Sequence, residues 1–458
     1  MVMLTTWPWQ HWARQRPDQP ALHGEEERYT WRQLTAELDR RAAHYQAQGV
    51  QAGCGVALRG KNSLALLLDY LALIQCGARV LVLNPQLPAA LLARLLPGLT
   101  LAFLREHAEP VTCDVPPLYP PVQALPPGGC APVAFVPSRL ATLTLTSGSS
   151  GLPKAAAHSI AAHLASAAGV LALIPFPADA CWLLSLPLFH VSGQGIVWRW
   201  LRAGAALAVR PQLPLAEALA GCTHASLVPT QLWRLLEQGC VPGTLRAVLL
   251  GGAAIPTALT SRAEQAGIRC WCGYGMTEMA STVCAKRADA QPGVGQPLAG
   301  CEIKVVKEEV LIRAPGQAAG YWRDGVLHPL ADNEGWYHSR DRGVMEAGEL
   351  RILGRLDNLF FSGGEGIQPE EIERILARHP QVTQVFVVPV EDVQFGQRPV
   401  AVLETTGTLQ PEALTHWLAG QVPRFQWPVA YYSLPESLKQ GGIKIPRHQV
   451  QQWVASQP

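Results

Sequence analysis

The sequence has little excess charge, no long apolar run and no secretion signal. Its 458 residues carry 37 basic and 35 acidic side chains, a formal net charge of +2. Because no long basic run is present either, we expect no nucleic-acid surface. No apolar run reaches the roughly 18 residues that cross a bilayer, so we expect no membrane span. The start of the chain lacks a basic segment followed by an apolar core, which argues against secretion.

The cysteines also lack any ordered spacing. The 11 cysteines are dispersed, and although Cys270 and Cys272 are close, no pair or Cys/His cluster has the spacing of a zinc site. A dispersed, odd set indicates reduced core thiols and therefore a cytoplasmic protein. With 48% hydrophobic residues, a chain of this length is expected to form two or more cores. Whether it forms a homo-oligomer is left open.

Short apolar segments alternate with helical ones along most of the chain. Strands are predicted at 56–58, 78–83 and 101–104, with a helix from Ser63 to Cys76, and another helix is predicted to begin at Thr30. This alternation favours a parallel sheet with helices, and it resumes at 182–186, 206–209, 225–228 and 247–252. Residues 300–355 instead alternate polar and apolar, as antiparallel strands do. A smaller α+β unit of about 100 residues follows from 357.

We therefore expect an α/β and α+β protein with two domains. Residues 1–356 would form a large N-terminal domain of parallel and mixed sheets with helices, together with a small antiparallel barrel-like part. Residues 357–458 would form a small α+β C-terminal domain.

The strongest motif is the segment 142–154, Thr-Leu-Thr-Leu-Thr-Ser-Gly-Ser-Ser-Gly-Leu-Pro-Lys. Its hydroxyls and bare glycine amides can surround an oxyanion, and its lysine adds a cation suited to phosphate. Pro153 and Ala155 on either side of that lysine exclude a Walker A loop. Read alone, the segment could also be a Ser/Gly-rich surface loop. The candidate phosphate-binding residues are Thr146, Ser147, Gly148, Ser149, Ser150, Gly151 and Lys154.

This segment resembles the phosphate loop of the adenylate-forming enzymes, the family of acyl-CoA synthetases, peptide-synthetase adenylation domains and firefly luciferase. Further motifs similar to those of the family follow in the family's order: 273–278 (Gly-Tyr-Gly-Met-Thr-Glu), 336–343 (Trp-Tyr-His-Ser-Arg-Asp-Arg-Gly), 354–357 (Gly-Arg-Leu-Asp), 362–372 (Ser-Gly-Gly-Glu-Gly-Ile-Gln-Pro-Glu-Glu-Ile) and 442–447 (Gly-Ile-Lys-Ile-Pro-Arg). The resemblance implies that ATP, Mg²⁺ and coenzyme A are used.

The resemblance also implies roles for single residues. Thr277 would contact the α-phosphate, Glu278 would hold Mg²⁺, Asp341 would accept from the ribose hydroxyls and Lys444 would stabilise the adenylation transition state. The C-terminal domain would be mobile, rotating about a hinge near Asp357. The remaining implied residues are Tyr274, Gly275 and Arg355 at the nucleotide, Gly363 and Gly364 at the pantetheine arm of coenzyme A, and His190, a catalytic candidate at the entrance to the acyl pocket.

Two residues depart from the family pattern, and simpler roles exist for several motif residues. Arg340 stands where the family has glycine before the ribose aspartate, and Ile443 separates Gly442 from Lys444. Both departures concern local backbone shape more than chemistry. As alternatives, Glu278 could cap a helix, Asp341 could pair with Arg340 or Arg342, and Lys444 could be a solvated tail residue.

The acyl substrate is indicated by residues 185–235. Arg199 lies between Trp198 and Trp200 on a predicted helix, and a guanidinium among indoles suits a second carboxylate on an aromatic acid. The alternative is an arginine that points to solvent next to Arg202. The other candidate pocket residues are Ser192, Gly193, Ser226, Thr230 and Gly252.

The glycine loop at 362–369 resembles that of acyl-CoA ligases more than that of peptide-synthetase domains. We therefore expect a ligase that joins an aromatic dicarboxylic keto acid to coenzyme A and acts on small molecules only. The alternatives are another aryl- or acyl-CoA ligase of the family, and a non-catalytic protein that binds ATP or an acyl-adenylate.

Overall fold

A computed structural model describes residues 4–121, 131–146, 152–253, 255–291, 293–363, 365–439 and 445–457. The helices within these residues are α1 Pro8–Gln15, α2 Trp31–Ala47, α3 Leu64–Gln75, α4 Ala89–Leu95, α5 Ile160–Leu173, α6 Val191–Ala203, α7 Leu215–Ala218, α8 Pro229–Glu237, α9 Thr257–Gln265, α10 Pro369–Leu376, α11 Pro411–Leu418, α12 Glu436–Lys439 and α13 Arg447–Ala455.

The strands, in chain order, are β1 Pro20–His23, β2 Arg28–Thr30, β3 Gly55–Arg59, β4 Arg79–Leu83, β5 Leu101–Glu106, β6 Leu140–Leu145, β7 Ala155–Ser159, β8 Cys181–Leu183, β9 Ala206–Ala208, β10 His224–Leu227, β11 Ala247–Leu250, β12 Arg269–Met276, β13 Ser281–Arg287, β14 Gln296–Pro297, β15 Glu302–Val306, β16 Glu309–Arg313, β17 Gly320–Arg323, β18 Val326–His328, β19 Tyr337–Glu346, β20 Glu349–Arg355, β21 Phe360–Ser362, β22 Glu365–Ile367, β23 Val382–Asp392, β24 Gly396–Thr405 and β25 Tyr431–Ser433.

Two predicted helices begin at hydroxyl residues, which cap them. The Thr30 hydroxyl accepts from the Gln33 amide, and the Gln33 side chain accepts from the Thr30 amide, a reciprocal capping box for α2. Ser63 accepts from the Leu66 amide at the start of α3. These side chains satisfy amide donors that the first helical turn would otherwise leave unpaired.

Two large mixed sheets form the first part of the chain. The seven-stranded sheet has the order β18-β17-β7-β6-β4-β3-β5, and the strands predicted to be parallel, β3, β4 and β5, pair in parallel. The nine-stranded sheet has the order β14-β13-β12-β11-β10-β8-β9-β1-β2, with parallel pairing from β8 to β12. The alternation of strands and helices predicted parallel pairing, and this prediction is confirmed for β3 to β5 and for β8 to β12.

A tryptophan-rich core packs α1, α2, α3, α5 and α6 against these sheets. The rings of Trp31 and Trp200 stack with centroids 5.4 Å apart, and Trp9, Trp31, Trp198 and Trp200 are fully buried. Large aromatic side chains supply much apolar area for such a core. Helix α6 is buried from Gly193 to Leu201, so its single arginine in that stretch has to lie inside the protein.

The remaining sheets are antiparallel or mixed and smaller. The strands β15-β16-β19-β20 form an antiparallel sheet, and β14 and the residues before it also contact β20. From residue 360 a separate sheet, β22-β21-β24-β23 with β25 beside β24, packs on α10, α11 and α13. Its two buried apolar clusters contain only residues from Phe360 onward. The predicted fold class is confirmed.

Contacts cross between this last unit and the antiparallel sheet. Arg342 of β19 pairs with Glu371 of α10 at 3.4 Å, and the Gln368 side chain donates to the Arg355 carbonyl at 3.1 Å.

None of the helices that the structure describes is long and apolar enough to cross a membrane.

Candidate active site

The phosphate-loop motif connects β6 to β7, two antiparallel neighbours in the seven-stranded sheet. The Thr146 amide donates to the Lys154 carbonyl at 2.8 Å, which closes the base of the loop. Residues 147–151, and with them Ser147, Gly148, Ser149, Ser150 and Gly151, lie outside the described residues. Lys154 is exposed. A strand, not a helix, follows the loop, so its context also differs from that of a Walker A loop.

The second motif lies at the end of β12 and in the tight turn that follows. At Gly275 an added Cβ would lie 1.8 Å from the Ser281 carbonyl oxygen, so only glycine fits there. A short 3₁₀ turn, Thr277–Met279, then carries Thr277 and Glu278. This turn reverses the chain into β13, which pairs antiparallel with β12. Glycine therefore permits the turn that presents both functional side chains.

Glu278 is a buried carboxylate, 8% exposed, without a basic partner within ion-pair distance among the described residues. The Tyr321 hydroxyl donates to Glu278 Oε1 at 2.8 Å, and the Ala318 amide donates to the Glu278 carbonyl at 2.8 Å. A buried carboxylate that meets no cation in the protein is suited to a metal ion. The alternative that Glu278 only caps a helix does not fit, because a strand follows its turn.

Asp341 lies on β19, is 7% exposed and is held from two sides. The Tyr274 hydroxyl donates to Asp341 Oδ2 at 2.5 Å, and Arg355 Nη1 donates to Oδ1 at 3.1 Å. Burial and the Asp341 charge raise the pKa of Tyr274 well above its ordinary value. The structure thus joins Tyr274, Asp341 and Arg355, residues of three separate motifs.

The predicted alternative pairing of Asp341 with Arg340 or Arg342 is wrong. Arg340 pairs with Asp357 at 2.8 Å, and Arg342 pairs with Glu308 at 2.9 Å. Arg340 adopts a left-handed backbone with φ of 61°, the conformation that glycine adopts freely and that costs other residues about 1–2 kcal/mol. The departure from the family's glycine at this position is therefore a change of residue with the backbone shape kept.

Arg199 on α6 is buried, 2% exposed, and so does not point to solvent as its alternative required. Its Nε donates to the Gly195 carbonyl at 2.8 Å, and its Nη1 donates to Ser226 Oγ at 3.1 Å. No carboxylate among the described residues lies within ion-pair distance of it. Burial lowers the pKa of Arg199 to about 9, as expected for a guanidinium without a compensating anion among the described residues.

The aromatic neighbours of Arg199 differ from the prediction. The guanidinium lies over Trp182 of β8, 4.9 Å from the ring centroid. Trp198 instead donates to the Tyr70 hydroxyl at 3.2 Å, and Trp200 stacks on Trp31. The prediction that Trp198 and Trp200 surround the guanidinium is wrong, because consecutive residues on a helix do not face each other.

The acyl-pocket side and the phosphate side are adjacent in space. A Cβ on Gly195 would lie 3.0 Å from both Arg199 Nη2 and Ser281 Oγ, so α6 packs directly on the residues after Glu278. Thr144 of β6 donates to the buried Gln194 side chain at 3.2 Å, which ties α6 to the strand that leads into the phosphate loop. The candidate acyl-pocket residues of α6 therefore lie next to the candidate nucleotide-binding residues.

The remaining predicted residues occupy varied positions. His190 is exposed at the N-terminus of α6, and its ring packs edge-on against Phe189. Gly193 approaches the Pro187 carbonyl so closely that a Cβ would lie 2.1 Å from that oxygen. Ser192 and Thr230 are half-buried near the starts of α6 and α8, Gly252 has φ of 81° after β11, and Gly363 has φ of 58° after β21. Gly364 and Lys444 lie outside the described residues.

Sequence reasoning missed three residues of this region: Trp182, Tyr321 and Gln194. Trp182 and Tyr321 come from strands whose sequence signal was only apolar character. Gln194 lies within the predicted helix without a distinguishing pattern. Their proximity to the site depends on strand order, which no local pattern reports.

Known protein families match both parts of the chain. The profile of the AMP-binding enzymes matches residues 9–322, and that of the AMP-binding enzyme C-terminal domain matches residues 371–444. A 2-succinylbenzoate–CoA ligase from Salmonella typhimurium is 56% identical over 454 residues, covering 99% of each chain.

Solved structures have the same fold. A variant of E. coli MenE with bound OSB-AMS is 54% identical, covers 99% of each chain and has a TM-score of 0.94. A more distant structure, o-succinylbenzoate coenzyme A synthetase from Bacillus subtilis with ATP and magnesium ion, is 24% identical, covers 94% of this chain and 96% of the other, and has a TM-score of 0.83.

Proposed function

The chain belongs to the family of AMP-binding enzymes, and from this premise we propose that it is a 2-succinylbenzoate–CoA ligase of menaquinone biosynthesis. In the first half-reaction, a carboxylate oxygen of 2-succinylbenzoate attacks the α-phosphorus of ATP and pyrophosphate leaves. In the second, the thiolate of coenzyme A attacks the acyl carbon of the resulting acyl-adenylate and AMP leaves. ATP and Mg²⁺ are required, and coenzyme A is the second substrate.

The single observation that carries the substrate assignment is the buried, uncompensated charge of Arg199. A guanidinium inside a protein is costly unless an anion pairs with it, and no described residue supplies one. A diacid supplies one carboxylate for Arg199 while the other reacts with ATP. Arg199 Nη1 donates to the Ser226 hydroxyl, and the guanidinium lies over the Trp182 ring. These contacts orient the guanidinium before the substrate binds.

The nucleotide side supports the adenylation step. Asp341, held by Tyr274 and Arg355, would accept from the ribose hydroxyls, and Thr277 would donate to the α-phosphate. Glu278 would hold Mg²⁺ together with phosphate oxygens and water, because it is a buried carboxylate that has no basic partner among the described residues. The metal would neutralise charge on the triphosphate as the attacking carboxylate approaches.

The small C-terminal unit has a role in both half-reactions of the proposed mechanism. We propose that residues 357–458 rotate about Asp357, so that Lys444 serves adenylation and the glycines Gly363 and Gly364 admit the pantetheine arm. The separate apolar clusters from Phe360 onward support a unit that moves as a body. We also propose a cytoplasmic location, since the cysteines among the described residues are free thiols.

Pyrophosphate release tests the proposal. The purified protein is incubated with ATP, Mg²⁺ and one acid: 2-succinylbenzoate, benzoate or a medium-chain fatty acid. We expect pyrophosphate with 2-succinylbenzoate, and thioester only when coenzyme A is added. Comparable turnover with a monocarboxylic acid would favour a general aryl- or acyl-CoA ligase, and absence of turnover with every acid would favour a non-catalytic binding protein.

A further inference from the structure

The strand β17 contacts both Glu278, the candidate metal ligand, and Lys154, the candidate phosphate-binding lysine. Tyr321, half-buried on this strand, donates its hydroxyl proton to Glu278 Oε1 at 2.8 Å. The Ala318 amide donates to the Glu278 carbonyl, and the next amide, that of Ala319, donates to the Ala157 carbonyl of β7. The chain then enters the pairing of β17 with β7, in which Tyr321 lies opposite Ala156. The segment from Ala318 to Tyr321 therefore fixes both the backbone and the carboxylate of Glu278.

The same ring also contacts the lysine of the phosphate loop. Lys154 Nζ lies over the Tyr321 ring, 4.9 Å from its centroid, within the range of a cation–π contact. Lys154 directly precedes β7, the strand that pairs with β17. One side chain thus meets the phosphate-binding cation with its face and the candidate metal-binding carboxylate with its hydroxyl.

We propose that Tyr321 is a positioning residue. It fixes the Glu278 carboxylate and the Lys154 ammonium relative to each other, so that both can bind magnesium-bound ATP. The hydroxyl occupies Oε1 of Glu278, which fixes the orientation of the carboxylate and directs its other oxygen to a metal ion. The ring limits where the Lys154 ammonium can lie. This inference rests on the proposed adenylation reaction but assigns a residue that no motif of that reaction names.

The chemistry of the hydroxyl suits this role over the working pH range. A phenolic hydroxyl is protonated at neutral pH, so Tyr321 donates a hydrogen bond to the Glu278 carboxylate there. Partners of this kind, which orient a metal ligand without touching the metal, typically change metal affinity or activity by about 10–100-fold when removed.

Two substitutions separate the hydroxyl from the ring. Tyr321→Phe removes only the hydroxyl, and Tyr321→Leu removes the ring as well. Tyr119→Phe is the matched control, because it deletes a phenolic hydroxyl from a side chain that is 64% exposed. Binding of an ATP analogue with a methylene bridge between the α- and β-phosphates is measured by calorimetry over a range of Mg²⁺ concentrations and in EDTA, without an acid substrate.

We expect Tyr321→Phe to raise the half-saturating Mg²⁺ concentration about tenfold or more while binding in EDTA is unchanged. Tyr321→Leu should also weaken binding of the ATP analogue in EDTA, because the Lys154 ammonium loses its contact with the aromatic ring. The Tyr119→Phe variant should match the wild type in both conditions. Equal Mg²⁺ dependence for Tyr321→Phe and wild type, or equal weakening with and without Mg²⁺, would overturn the inference.

Glu278→Gln provides the second test, in a double-mutant cycle with Tyr321→Phe. If Tyr321 acts through Glu278, adding Tyr321→Phe to Glu278→Gln should change Mg²⁺-dependent binding by less than about twofold. A full additive loss would contradict the positioning role. A wild-type protein that does not bind the ATP analogue at all would refute the proposed function itself, which is a different outcome from a wild-type result in the Tyr321→Phe variant.

Discussion

Replacement of Arg199 by methionine should separate substrate recognition from stability. Arg199 is 2% exposed, and burial lowers its pKa to about 9. At about 1.4 kcal/mol per pKa unit, this lowering corresponds to an upper bound of about 5 kcal/mol in lost solvation of the charge. An incoming carboxylate can recover part of it, and truncating one partner of a buried charge pair costs about 2–5 kcal/mol.

We therefore expect Arg199→Met to lower kcat/KM for 2-succinylbenzoate by a factor between about 30 and several thousand, the range that 2–5 kcal/mol represents. The loss for an analogue that keeps only the reacting carboxylate should be much smaller, because that ligand does not use the guanidinium. The variant should melt no lower than the wild type, since replacing a buried charge by an apolar residue is often neutral or stabilising.

The assay is steady-state pyrophosphate release with both acids, paired with thermal melting with and without 2-succinylbenzoate. Arg199→Lys is the matched variant, because it keeps a charge but loses the planar fork, and it should fall between wild type and Arg199→Met. Equal loss for the diacid and the monoacid, in a variant that melts normally, would remove Arg199 from the substrate site and refute the reasoning.

Three further predictions concern the nucleotide, the second half-reaction and pH. Asp341→Asn should raise the KM for ATP, because the carboxylate accepts from both ribose hydroxyls in the proposed site; an unchanged KM would contradict the ribose role and favour a structural one, through contacts such as those to Tyr274 and Arg355. Lys444→Ala should slow formation of acyl-adenylate by orders of magnitude while thioester formation from supplied acyl-adenylate survives, and equal loss of both steps in rapid-quench assays would contradict the rotation. Stability should fall as pH is lowered from about 6.5 to about 4. Burial lowers the pKa of His158 and His224 to about 4 and that of His163 well below its ordinary value, so the unfolded chain binds roughly three protons that the folded chain does not. Chemical denaturation at pH 7 and pH 5 measures this, and equal unfolding free energies would contradict it.

The fold could be predicted because its signals are local. Apolar segments of strand length alternate with helical periodicity through the first part of the chain, and a parallel sheet covered by helices follows from that alternation. Thr30 and Ser63 begin helices for reasons that lie within four residues of each. The order of strands in the sheets was not predicted, because it depends on long-range pairing.

Candidate site residues could be named from the sequence because adenylate-forming enzymes carry theirs in short motifs. Tyr274, Asp341 and Arg355 belong to three motifs, and the structure joins them. The sequence could not reveal that Arg340 binds Asp357 and not Asp341, since the direction of an arginine side chain depends on what lies opposite it.

The sequence alone determined the chemical class of this protein, because the segment 142–154 and the motifs that contain Glu278, Asp341 and Lys444 resemble those of enzymes that adenylate acids. Only the tertiary structure decided which neighbours support those groups. Trp182 under Arg199 and Tyr321 between Lys154 and Glu278 come from strands distant in the chain. The residue types of a motif can be recognised in consecutive positions of the sequence. The burial and orientation of a side chain instead depend on elements from distant parts of the chain that pack against it.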